Sequence, residues 1–282
     1  MIKKLLGAIA LSLTCAVAFA AEGGYPLDHA PNRINDMASL QNGAKLFVNY
    51  CLNCHSANSM RYNKLADLGL TDDEIKKNLL FTTDKIGDLM KIAMTPADGK
   101  KWFGTSPPDL SVIARAKSSS LGPSGVDYIY TYLRTFYRDA SKGSGWDNLV
   151  FPNVAMPDVL WELHGPRTMT RHTVHQVQAA DGSEQWERTV AKYDAQGFAE
   201  VKTEVLKGYH GPAIDKATFE AAEPGLTGAF DSDVADLSNF LGWMAEPNQL
   251  LRKEIGFWVL LFLALFFLVA WRLNAAYWKE VR

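Results

Sequence analysis

The sequence predicts a mainly α fold carrying a small β-rich insert and one C-terminal transmembrane helix. Three observations lead there. Residues 255–271 (IGFWVLLFLALFFLVAW) form an uncharged apolar run. Stretches 39–50 and 231–246 place apolar residues at helical spacing, and 161–228 contains short, partly alternating pieces separated by turn residues. The 282 residues allow one or two domains, and 48% hydrophobic with 11% aromatic content suffices for a packed core. A formal net charge of −2 argues against a basic nucleic-acid binder, and the composition excludes a disordered or collagen-like chain.

The chain opens with residues 1–20, MIKKLLGAIALSLTCAVAFA. Lys3 and Lys4 precede an apolar run from Leu5 to Phe19, and Ala18-Phe19-Ala20 gives the small-x-small pattern that a signal peptidase needs. The expectation is an export signal cleaved after Ala20. At the other end, the apolar run covers roughly 26 Å as a helix, close to the hydrocarbon thickness of a bilayer. Trp258, Trp271, Tyr277 and Trp278 fall near the two interfaces, and Arg272, Lys279 and Arg282 form a short positive tail. These features predict an anchor at 255–273, a cytoplasmic tail at 274–282 and a body at 21–250 outside the cytoplasm. Residues 21–251 hold 22 Lys and Arg against 29 Asp and Glu, a net charge of about −7 that favours a basic partner over nucleic acid.

Removing the signal also removes Cys15, leaving Cys51 and Cys54 within Cys51-Leu52-Asn53-Cys54-His55. The spacing Cys-x-x-Cys-His is the attachment pattern of c-type haem, with two thiols for thioether bonds and the adjacent His as proximal ligand. Zinc would need two further ligands, and no second Cys-x-x-Cys exists. A thioredoxin-like redox pair would need a preceding strand in a βαβ unit. One covalently attached haem c is therefore the expected cofactor. Residues 39–50 read as a helix entering the motif. Residues 231–246 read as a second helix, with Asp231 or Ser232 as N-cap and Pro247 ending it.

A helix into this motif and a C-terminal helix after it resemble the crossing pair of the class I cytochrome c fold. The text between is more specific. Trp102-Phe103-Gly104-Thr105-Ser106-Pro107-Pro108-Asp109-Leu110-Ser111 precedes Arg115, Asp127-Tyr128 follows, then Ala155-Met156-Pro157, and Ala245-Glu246-Pro247 stands before the membrane run. This ordered set resembles the cytochrome c1 family, the haem subunits of quinol–cytochrome c oxidoreductase (the cytochrome bc1 complex), over about residues 35–160 and 230–280. The resemblance implies thioether attachment at Cys51 and Cys54, axial iron ligation by His55 and Met156, and a haem pocket including Arg115 toward a propionate, Tyr128, Pro107 and Pro108. It also implies electrons arriving from a Rieske iron–sulfur protein and leaving to a soluble or membrane-attached c-type cytochrome. Cytochrome b, not this chain, would oxidise the quinol, so no catalytic site is expected here. The expected location is a bacterial inner membrane, spanned once, with the haem domain in the periplasm.

Several alternatives stay open at this stage. Met94, in Met94-Thr95-Pro96, competes with Met156 for the iron, whereas Met90 reads as a core residue of a helix with Leu89 and Ile92. A c-type subunit of another membrane dehydrogenase, or a haem enzyme with an open axial position, would carry the same attachment motif. Between 161 and 228, strand-like stretches at 170–178, 186–193 and 198–206 suggest a β-meander around a turn at Asp181-Gly182. His164, His172, His175 and His210 in or beside it read as ordinary surface histidines.

Overall fold

The computed structural model describes residues 24–179 and 182–279. The expected export signal at 1–20 and the last three residues of the tail lie outside the described residues. The chain divides into two compact units. One contains Thr170–Lys192 and Glu200–Thr218; the other contains Leu27–Met169, Tyr193–Ala199 and Phe219–Arg282.

In the larger unit, helix α1 (Met37–Leu46) starts at Asp36, whose carboxylate accepts the amides of Ala38 and Ser39. A π-helical turn, Phe47–Cys51, continues it. Strand β1 (Ala57–Arg61) follows, then a 3₁₀ segment (Tyr62–Leu68), α2 (Asp72–Asn78) and β2 (Leu89–Met90). β1 and β2 pair antiparallel, Ala57 opposite Met90. Met90 is fully buried, but in a strand and not the helix its neighbours suggested, since its backbone pairs across to β1. Next come α3 (Pro96–Phe103), α4 (Ile113–Ala116), α5 (Gly125–Arg134) and the antiparallel pair β3 (Phe136–Arg138) and β4 (Trp146–Asn148). After a short helix α6 (Trp161–His164) the chain enters β5 (Arg167–Gln178), β6 (Glu184–Tyr193), β7 (Ala199–Leu206) and β8 (Ile214–Ala221). Helices α7 (Pro224–Ala245) and α8 (Gln249–Trp278) close it.

The expected C-terminal helix ends where Pro247 suggested but starts seven residues before Asp231. Pro224 supplies the first helical position, where its missing N–H costs nothing. Gly225, Thr227 and Gly228 dilute the apolar stripe of these first turns, which hid them from a periodicity reading.

α1 and α7 cross at close range. Gly43 lies against α7 so tightly that a Cβ there would sit 2.3 Å from the Asp236 carbonyl oxygen and 2.6 Å from Phe240 Cβ. Beside it Phe47 and Phe240 pack with ring centroids 5.7 Å apart, and Leu40, Ala44, Leu237 and Leu241 complete the apolar contact. A polar seam edges the crossing. Asp236 accepts from Arg33 at 2.6 Å, from Asn42 at 2.9 Å and from the Ser39 hydroxyl. Asn239 accepts the Arg33 amide and donates to the Pro31 carbonyl.

The smaller unit is built on the four-stranded sheet, ordered β7-β6-β5-β8. Three of its strands follow the expected meander. The fourth, β8, escaped notice because its inward positions are Asp215, Ala217, Phe219 and Ala221, and Asp215 breaks the apolar alternation. It is neutralised by Arg171 on β5, in a two-pronged contact at 2.8 and 2.6 Å.

α8 contains the expected apolar run within thirty residues, about 45 Å of helix, long and apolar enough to cross a membrane.

Gly43→Ala should destabilise the protein by about 1–3 kcal/mol or more, because backbone must give way to admit a single methyl group. Chemical unfolding of the detergent-solubilised chain measures this. Unchanged stability would mean the helices do not meet at Gly43.

Candidate cofactor site

The Cys-x-x-Cys-His loop grows directly out of α1. In the π-helical turn the Leu52 amide donates to the Phe47 carbonyl at 3.0 Å, and the Cys54 and His55 amides both fold back on the Cys51 carbonyl. Cys51 is buried and Cys54 partly buried, and both are free thiols. Burial, with Cys54 adding to it, pushes the Cys51 thiol up to about 12. His55 Nδ1 lies 2.7 Å from the Pro108 carbonyl oxygen. That oxygen can only accept, so Nδ1 carries the proton and Nε2 keeps its lone pair. Burial lowers the His55 pKa, outweighing the Pro108 bond and nearby Asp109, and so favours the neutral ring. A neutral imidazole with one nitrogen tied to a carbonyl is a prepared metal ligand.

The Pro107-Pro108-Asp109-Leu110-Ser111 loop is sewn onto this motif. The Leu110 amide donates to the Ser56 carbonyl, the Asn58 amide to Asp109 Oδ2 at 2.7 Å and the Ser59 amide to Ser111 Oγ at 2.9 Å. Pro107 is partly buried and Pro108 exposed. Neither has an N–H, so the carbonyl of Pro108 is what the loop brings to His55.

A second group assembles on α5. Tyr128 and Tyr132, one helical turn apart, stack with centroids 6.1 Å apart and planes 8° from parallel. The Lys117 ammonium lies 4.8 Å from the Tyr128 ring centroid. The Tyr132 hydroxyl donates to Met156 Sδ at 3.5 Å, and burial pushes its pKa up. Met156 is partly buried on a segment (149–160) without regular structure, whose start is heavily tied. Asn148 Oδ1 accepts the amides of Val150 and Phe151, and Asn148 Nδ2 donates to the Tyr132 carbonyl. Asp147 accepts the Asn153 amide, and Lys142 reaches both Asp147 and the Asn153 side chain. Asn153 sits at φ 61°, a left-handed conformation Asn tolerates. Cys51, Tyr128 and Met156 all pack against one hydrophobic core.

Of the expected site residues, Cys51, Cys54, His55, Pro107 and Pro108 fall in one bonded group, and Tyr128 and Met156 in the other. Arg115 joins neither. Its exposed guanidinium lies 3.3 Å from Glu246 at the end of α7. Met94 is partly buried just after Ile92, whose amide is bonded to Ser56 Oγ beside His55, whereas Met156 is held from α5. The reading of His164 as a surface residue is corrected: it is buried, between Asp158 and the Gly165 carbonyl. His172, His175 and His210 are exposed. Tyr132 was also missed, although its place four residues after Tyr128 on a helical face could have signalled it.

A family model described as the cytochrome C1 family matches residues 29–198 and 220–281 of the chain. The ammonia monooxygenase gamma subunit of Nitrosomonas europaea is 39% identical over 281 residues, covering 100% of this chain and 99% of that protein. Cytochrome c1 of Allochromatium vinosum is 39% identical over 281 residues, 99% of each. Cytochrome c1 of Rhodospirillum rubrum is 28% identical over 264 residues, covering 88% of this chain and 83% of that protein.

The helix bearing both tyrosines has an acid-sensitive start. Burial alone would raise the Asp127 carboxyl, but bonds from the Ala30 amide and from Ser124 hold it below its ordinary value. With the folded pKa below 3.8, the stabilisation is present above that pH and is lost as pH falls through the folded value. Asp127→Asn should therefore cost stability at neutral pH, with the gap to the unsubstituted chain closing below pH 3.8. Unfolding curves across pH test this; a gap independent of pH would exclude the carboxylate's charge as the cause.

Proposed function

The chain belongs to the cytochrome c1 family, and from that premise we propose that it carries electrons through one covalently bound haem c within a cytochrome bc1 complex, anchored by α8. The single observation that carries this reading is the His55 ring, neutral and fastened to Pro108 beside two unoxidised thiols. Such a donor set fits haem c. Cys51 and Cys54 would hold it by thioether bonds, and His55 and Met156 would ligate its iron. Haem c, when bound, supplies a one-electron ferric–ferrous couple.

The protein's own residues do the rest. Pro108 fixes the imidazole tautomer, and the PPDLS loop stiffens the wall beside His55. Tyr132 orients the Met156 thioether and Tyr128 backs it by stacking. Arg115 would turn its remaining guanidinium donors to a haem propionate while Glu246 holds one edge. Cytochrome b and a Rieske protein would share the complex, the Rieske cluster donating and a soluble or membrane-attached c-type cytochrome accepting. The haem domain would lie in the periplasm of a bacterial inner-membrane protein, after removal of residues 1–20.

A second reading is favoured by one observation: a full-length relative bears the name of a different enzyme's gamma subunit. The haem chemistry would be the same, in another membrane oxidoreductase. Co-elution in mild detergent separates the two. Recovery with haem b and a Rieske protein supports the bc1 reading, and recovery with neither overturns it.

Two variant sets test the site. The double variant Cys51→Ala, Cys54→Ala should lose all haem staining on a denaturing gel; staining that persists at this chain's mass would exclude the attachment site. Met156→Leu keeps the volume and removes the sulfur. It should abolish the far-red sulfur-to-iron band, lower the reduction potential and open the ferrous iron to carbon monoxide. If Met94→Leu does this instead, the axial ligand is Met94.

A further inference from the structure

The far end of the Met156 segment is fastened by a contact unlike any other described in the chain. Asp158, two residues beyond Met156, and His164, the last residue of α6, bury their side chains to 1% and 2% exposure. His164 Nε2 lies 2.7 Å from Asp158 Oδ2, and Nδ1 lies 2.6 Å from the Gly165 carbonyl oxygen, to which it can only donate. The other carboxylate oxygen, Oδ1, accepts the Leu160 amide at 3.0 Å. The imidazole meets Phe230 of α7 edge-on, with centroids 4.9 Å apart and planes at 77°. Phe230 is itself buried, with the Arg167 guanidinium 5.3 Å from its ring centroid.

Both imidazole nitrogens are thus occupied, which leaves His164 no free ring nitrogen for a metal or a substrate. Nor does burial of a polar pair recommend it for stability, since well-packed apolar residues of like volume serve as well or better. What the pair does provide is direction. It ties the backbone on one side of Met156 to α6, whose His164 ring packs on Phe230 of α7, while Asn148 and Asp147 fix the other side to β4 and α5.

We propose that Asp158 and His164 form a latch that positions the Met156 sulfur. They are positioning residues, acting through the backbone of residues 156–158 without touching the cofactor. The latch rests on the reading of Met156 as the second axial ligand. Breaking it frees the segment to swing while helices and haem attachment persist. Tyr132 alone cannot prevent this, because one hydroxyl-to-sulfur contact restrains the side chain and not the loop.

The test uses the full-length haem-loaded protein, with Asp158→Asn, His164→Leu and His164→Gln. Each is heated while the far-red band and the helical circular dichroism are followed together, and carbon monoxide uptake by the reduced protein is measured below the unfolding transition. For Asp158→Asn and His164→Leu, the band should disappear at lower temperature than the helices. Carbon-monoxide-reactive haem should rise on the order of tenfold, the weight of one charged hydrogen bond. His164→Gln, which keeps a donor toward Asp158, should recover most of the band. If the variants lower both transitions equally, or move neither, His164 is an ordinary core residue and the latch is overturned. Should His164→Leu yield no folded protein, Asp158→Asn and His164→Gln decide by the same interval. If Met156→Leu retains the band, the axial assignment itself has failed and the latch falls with it, a result distinct from failure of the latch alone.

Discussion

The contact on which the molecule depends is the crossing of α1 and α7 at Gly43. Everything on the Cys-x-x-Cys-His side is an extension of α1, through the π-helical turn into Cys51, Cys54 and His55. The long apolar helix α8 follows α7 after only residues 246–248. A shift of one helix along the other would carry His55 away from the core that Met156 packs against. Apolar ridges alone allow such sliding, because Leu, Phe and Ala contacts re-form at neighbouring registers. The missing Cβ at Gly43 and the bonds of Asp236 to Arg33, Ser39 and Asn42 remove that freedom, since only one register satisfies all of them.

Given that crossing, the two halves of the site are built separately and meet through the core. The His55 half is held by backbone: amides and carbonyls of 56–59 and 108–111 exchange bonds, so the PPDLS segment behaves almost as part of the attachment loop. The Met156 half is held by side chains, with Asn148, Asp147 and Tyr132 supporting a stretch that has no regular structure. With His55 and Met156 as ligands, as proposed, electron transfer would benefit from this arrangement. A centre whose ligands are positioned before they are needed has little to rearrange between two charge states.

What could be read from the sequence followed from how local each signal is. The helix into the Cys-x-x-Cys-His motif and the apolar run within α8 depend on neighbours a few residues apart, and both stretches are helical in the structure. Met156 was visible through Ala155-Met156-Pro157, one member of the ordered set that carries the family resemblance. His164 was not, because its burial is decided by Phe230, sixty-six positions away on another helix. Arg115 likewise found a partner, Glu246, that only the folded chain brings near. Strand β8 was hidden by Asp215, whose polarity in an inward position makes sense only beside Arg171. In each case the missing information was a contact between distant parts of the chain, and such contacts leave no periodicity behind.

The joint between α7 and α8 is only residues 246–248, at most about 10 Å of extended chain. Glu246 within it bonds Arg252 on the first turns of α8 as well as Arg115 beside the PPDLS loop. A body mounted in this way is a turret and not a kite. With α8 spanning a bilayer as proposed, so short a joint would leave the body no leash to pay out, and the part of α8 clear of the hydrocarbon would set its height over the lipid. Redox partners of the proposed complex would then have to travel to it.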